Sequence, residues 1–222
     1  MNLPFSTEQF LKVFSDYNRA IWPMQIFAYA LGAIVIVFVV AKTGYARRIT
    51  MSVLAFLWLF MGVVYHIRFF SHINRAAYLF GALFIAQAVI FSLFGTIRET
   101  VHFAFLWRQN IYGLTGALFV LYALVVYPLL GNALGHGYPG APMFGVAPCP
   151  TVIFTFGVML WADRKVPLYF LIIPLIWSII GFSAAISLGI REDIGLLVAG
   201  VGGTALILIR NRYGIRRAPS AG

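Results

Sequence analysis

QNIYGLTGALFVLYALVVYPLLGNALGHGYPGAPMFGVAPCPTVIFTFGVMLWA, residues 109–162, contains no Asp, Glu, Lys or Arg. Shorter windows of the same kind lie at 20–41, 49–67, 76–97, 166–190 and 194–209. A bilayer core about 30 Å thick needs roughly 20 apolar residues as helix. The windows fit that length, and 109–162 is long enough for two spans. Their apolar character is continuous rather than alternating, which favours helices over a barrel. The chain therefore reads as an all-α integral membrane bundle of about seven transmembrane helices. The expected spans are 21–41, 49–70, 74–97, 110–131, 147–162, 167–188 and 193–209. Pro167 suits a helix start, and Pro174 should kink the sixth span. The fifth and seventh spans are short.

Composition agrees. The chain is 62% hydrophobic and 10% charged, against about 25% charged in soluble domains. Seven spans use most of its 222 residues, which leaves no room for a soluble catalytic domain. The net charge of +10 does not point to nucleic acid. Its basic residues sit at span ends, where they act as topology signals and contact anionic lipid. The expected partners are the bilayer and either a membrane-protein partner or a second copy of the chain. Small residues at helix-packing spacing, such as Gly113 with Gly116 and Gly181 with Ala185, suit close packing within the bundle. A single cysteine, Cys149, excludes an internal disulfide and any CxxC pair.

Residues 1–20 form a separate unit. Ser6 and Thr7 before Glu8 and Gln9 give a helix start with a capping pair. Phe10, Val13, Phe14 and Tyr17 then follow at helical spacing, with Glu8, Lys12, Asp16 and Arg19 opposite. This predicts an amphipathic interfacial helix, with a lid over the bundle mouth as the alternative. Residues 21–209 are the membrane domain and 210–222 a basic tail.

Orientation follows from Lys and Arg. Loops 42–48, 98–109 and 163–166, with the tail from Arg210, carry eleven of them. The other side carries five: Lys12, Arg19, Arg68, Arg75 and Arg191. The richer side should be cytoplasmic, so the N-terminus is outside and the C-terminus inside. The expected location is the inner (plasma) membrane.

On that topology most residues able to do chemistry collect at the outer side. The candidate ligand or proton-titrating residues are His66, His72, His136 and Cys149. His66 should lie about one turn inside the membrane, where ionisable groups are costly. Its plainer reading is a neutral imidazole hydrogen-bonded in the bundle. Arg68, Arg75, Arg191, Glu192 and Asp193 are candidate salt-bridge or anion contacts. Arg68 either pairs with Glu192 or Asp193 or snorkels to the surface. The two carboxylates alternatively serve a helix N-terminus. Pro148-Cys149-Pro150 predicts an extended or turned entry into the membrane. His66, His136 and Cys149 together would suit a soft metal, but the spacing between His136 and Cys149 matches no standard site.

No Asp, Glu or Lys lies in the middle of any span, which weighs against an ion-coupled carrier. The seventh span has no lysine for a retinal Schiff base. Hydrolase and ATPase motifs are absent, so an enzyme is not the expected reading, and no cofactor is specified.

Several stretches resemble an uncharacterised family of bacterial multi-pass membrane proteins, the domain of unknown function 6064 group. They are Asn2-Leu3-Pro4-Phe5 with Glu8-Gln9-Phe10, Tyr65-His66 with Phe69-Phe70 and Ile73-Asn74, Cys149-Pro150-Thr151 with Phe154-Thr155-Phe156-Gly157, and Ile173-Pro174-Leu175-Ile176-Trp177-Ser178. The resemblance implies a bacterial inner-membrane protein and carries over no activity. Three functions stay open. The first is binding or transport of a small solute or metal ion through an outer vestibule. The second is a non-catalytic accessory or sensor subunit. The third is a haem or redox protein using His66.

Overall fold

Ser6 and Gln9 start the first helix as a reciprocal pair. In the computed structural model, which describes residues 4–98, 100–103 and 111–213, the Gln9 amide donates to the Ser6 hydroxyl at 3.2 Å. The Ser6 amide donates to the Gln9 side chain at 2.9 Å. This capping box satisfies two otherwise orphaned amides and opens α1, Thr7–Ala20. Seven further helices follow among the described residues. They are α2 Met24–Val40, α3 Ala46–His72, α4 Ala77–Ile97, α5 Ile111–Ala133, α6 Pro148–Leu160, α7 Leu168–Leu188 and α8 Arg191–Tyr213. No strand forms among them; Phe103 and Ala162 make one isolated bridge.

The protein is thus an all-helical bundle of membrane-spanning character, and the number of spans is where it departs from expectation. Five helices, α3, α4, α5, α7 and α8, are individually long and apolar enough to cross a membrane. A sixth arises only if α1 and α2, which meet at 84°, count as one broken span. The expected fifth span, α6, has 13 residues, or roughly 20 Å of helix. Every residue of α6 except Cys149 is buried. A helix apolar all round belongs inside protein, and α6 packs against α3, α5, α7 and α8. It therefore need not match the bilayer.

Pro148 and Pro150 do not delay this helix. They occupy its first turn, where amide donors are unused anyway. The extended residue that a following proline demands is Ala147, with φ −114° and ψ 143°. The last helix is longer than expected, because Arg210 is folded in rather than belonging to a tail. Its Nη1 donates to the Leu160 and Ala162 carbonyls at 2.9 and 2.8 Å, and its Nη2 to Met159 at 3.2 Å. Arg210 thereby caps the C-terminus of α6, whose last carbonyls have no helical donor. Arg47 does the same for α4, donating to Gly95 and Thr96 at 2.7 and 2.8 Å. Residues 214–222 lie outside the described residues.

Glycines set the closest helix contacts. A Cβ on Gly116 of α5 would stand 2.6 Å from the Gly157 carbonyl of α6, and one on Gly157 2.9 Å from the Gly116 carbonyl. Both helices need glycine there.

The amphipathic α1 is fastened to the bundle end. Phe14 stacks on Tyr65 of α3 at 5.0 Å, and Tyr17 meets Tyr65 and Phe69 edge-on. The Tyr17 hydroxyl donates to the Val146 carbonyl at 2.8 Å. The Asn18 amide donates to Pro139 and Ala141 at 2.7 and 2.8 Å. The apolar stripe that suggested an interfacial helix faces protein, so the lid arrangement describes these contacts better. Lys12 and Asp16 pair on the exposed side.

Candidate functional site

Helix order brings the ends of several helices together. α3 and α7 finish at this end, α4, α6 and α8 start at it, and α1 lies across it. Between them is a cavity of about 180 Å³. Phe5, Phe10 and Phe14 form its α1 wall, and Tyr65 and Phe70 face them from α3. Phe80 of α4 and Trp177 of α7 close another side. The polar contribution is small: Cys149 at the start of α6, Asp193 at the start of α8, Asn74 and Ser183.

Local structure explains how Tyr65 and Phe70 reach the cavity. Residues Met61–Phe69 of α3 are wound as π-helix before a tight turn at Phe70–His72. Such widened turns recur at functional sites. Tyr65 stacks between Phe14 and Phe70, with ring centroids 5.0 and 5.6 Å away. On α7, Gly181 and Ala185 line the wall without filling it.

Asp193 is 4% exposed. Its Oδ1 accepts from the Tyr127 hydroxyl of α5 at 2.6 Å. No Lys, Arg or His among the described residues forms an ion pair with it. Glu192 is fully buried beside it. Its Oε1 is 3.3 Å from His136 Nδ1, and its Oε2 has no partner among the described residues. The Tyr122 hydroxyl donates to the Glu192 carbonyl at 2.7 Å. Neither carboxylate makes a side-chain cap for α8.

The residues singled out in the sequence divide into groups. Cys149 and Asp193 share the cavity wall. His66 stands behind that wall, fully buried, its ring 5.0 Å from Trp177 and 4.6 Å from Phe84. Neither ring nitrogen of His66 has a partner among the described residues. It is a buried imidazole in an aromatic cage, not the hydrogen-bonded one expected. His136 turns to Glu192 instead of Cys149. His72, Arg75 and Arg191 are exposed, and Arg68 lies over the Phe69 ring rather than on Glu192 or Asp193. Those two carboxylates already face His136 and Tyr127. His66, His136 and Cys149 form no metal-binding group, nor does any other set of three His, Cys, Asp or Glu among the described residues.

Sequence reasoning gave no site role to Tyr127, to Trp177, or to Phe10 and Phe14, which it read only as an apolar stripe. Trp177 lay in a span with no charged residue, and only its contacts single it out. At the far end, His102 pairs with Asp163 at 2.9 Å, a partnership between residues 61 apart.

The sequence profile of a family of unknown function (DUF6064) matches residues 7–217. The chain belongs to this family. The match takes in both α1 and the wall residues of α3, α6, α7 and α8, so lid and cavity lie within the family's common region. No curated protein and no solved structure matches the chain.

Proposed function

We propose that this family member binds a small, largely apolar molecule at one end of its bundle. The aromatic-walled cavity closed by α1 carries that reading. At about 180 Å³ it matches a space that takes one benzene-sized ring and falls short of the roughly 300–1,000 Å³ of drug-sized sites. That size excludes a porphyrin, and His66 is not in the wall, so the haem reading is not pursued. A soft-metal site has no three-residue ligand set to support it. The excess of Lys and Arg on the opposite side supports a mouth facing outward, an N-terminus outside, and a C-terminus in the cytoplasm of a bacterial inner-membrane protein. Arg47 and Arg210 belong to that excess but are held by helix caps. Without them the majority is nine to five, still on the same side.

The Cys149 thiol tests this reading. A membrane-impermeant thiol reagent added to intact cells should label Cys149, and enlarging Ala184 in the wall (Ala184→Phe) should slow labelling. Bound small monocyclic molecules should protect it in proportion to occupancy. Labelling only after denaturation would make Cys149 a packing residue and remove the proposal.

The accessory-subunit reading has one observation of its own. An open groove between α3 and α4 is floored by Ser52, Ala55, Ala88 and Ser92, and small residues admit a close helix. Ala88→Leu should change the oligomeric state in detergent if a second copy fills it. An unchanged state would leave the groove to lipid.

A further inference from the structure

We propose that the cavity selects small organic ammonium ions, with Asp193 as counter-charge and the surrounding rings as the cation-receiving surface. The inference rests on the small-molecule reading above and names its ligand class.

Three observations converge. First, among the described residues Asp193 is the only ionisable carboxyl in the wall, and no Lys, Arg or His lines it. The field inside therefore has one sign. Second, the Asp193 carboxyl is buried with hydrogen bonds from the Tyr127 hydroxyl and the Cys149 thiol, both uncharged donors, and no pairing cation among the described residues. A buried charge is costly unless paired, and a bound ammonium would supply the missing charge. Third, the remaining wall is rich in aromatic rings: Trp177, Phe14, Phe70 and Phe80 line it, while Tyr65 is stacked on both faces by Phe14 and Phe70. Ring faces attract cations within about 6 Å of the centroid, Trp most strongly, and more so when desolvated.

Ammonium and neutral ligands are distinguished by that charge alone. An anion would meet Asp193 with no compensating donor cluster. A neutral ring would gain the aromatic contacts but leave the carboxylate unpaired. The cavity volume limits the cation to about one ring or one quaternary ammonium group.

The full-length protein in detergent is titrated calorimetrically with benzylammonium and with benzyl alcohol, which match in size and shape. Benzylammonium should bind about tenfold or more tightly than the alcohol. Asp193→Asn keeps the size of the side chain and an oxygen for Tyr127. It should bring the two ligands to within about twofold of each other, with alcohol binding unchanged. The wild-type ratio decides the matter even if that variant does not fold. Equal binding of both ligands would overturn the ammonium proposal while the small-molecule reading stands. Binding of neither would overturn both.

Discussion

Where α4, α6 and α8 finish, two buried arginines have their terminal nitrogens engaged. Arg47 serves the last carbonyls of α4, and Arg210 serves those of α6. What is left over there is minor, the Thr50 hydroxyl and Arg210 Nε. Where α3 and α7 finish, the buried polar groups include His66, Glu192 and Asp193, with Asn18 of α1 and Gln25 beside it. His66 has two unpartnered nitrogens, and Glu192 and Gln25 one unpartnered oxygen each, among the described residues. An unsatisfied buried polar atom costs about 1–3 kcal/mol, and natural folds keep few without a reason. One end has its carbonyls capped, and the other keeps more unpartnered polar atoms.

The strongest way to break this contrast is at Arg210. Arg210→Met leaves three carbonyls of α6 without donors and should destabilise the protein by about 3–5 kcal/mol, read as the thermal midpoint in detergent. Arg210→Lys should recover less than half of the loss, because one ammonium cannot reproduce the fork across three carbonyls. A midpoint unchanged in both would show that α6 ends without need of a cap.

Removing α1 is the next step down. Deletion of residues 1–18 should leave a membrane-integrated protein, since the spans carry insertion. It exposes Tyr65 and withdraws the rings of Phe14 and Tyr17, each buried ring contributing roughly 1.5–3 kcal/mol. Cys149 should then be labelled faster than in the full chain. Failure to insert would make α1 part of the minimal bundle and contradict its role as a cover.

His66→Phe should be nearly neutral, within about 1 kcal/mol, because an apolar ring replaces one whose nitrogens are unpaired. A loss above about 2 kcal/mol would mean that the imidazole has a partner in the working protein. The smallest effect belongs to the far end. His102→Ala removes a half-exposed contact to Asp163 and should change stability by less than about 1 kcal/mol, with no effect on Cys149 labelling.

Much of the bundle could be read from residue order. Charge-free windows identified the long helices, and Ser6 with Gln9 marked the start of α1 to the residue. The gathering of Tyr65, His66, His136, Cys149 and Asp193 at one end followed from counting spans. What each apolar face touches could not be read, because lipid and protein interior are equally apolar to a helix. That is why the enclosure of α6 and the docking of α1 on the bundle end could not be told from sequence. Arg47 and Arg210 looked like topology signals because a basic residue at a span end has the same sequence appearance whether it meets lipid headgroups or helix carbonyls. The pairing of His136 with Glu192 spans 56 residues and depends on the course of the loop after α5. Nothing local encodes it.

The burial of α6 also sets an order of assembly. This segment leaves the ribosome before α7 and α8, two of the helices that enclose it. Until they arrive, α6 has no finished environment: it is too short to rest across lipid and lacks the arginine that closes its lower end. Arg210 lies in α8, so α6 is completed only once α8 has been made. A chain truncated within α8 before Arg210 would carry an uncapped, half-covered α6.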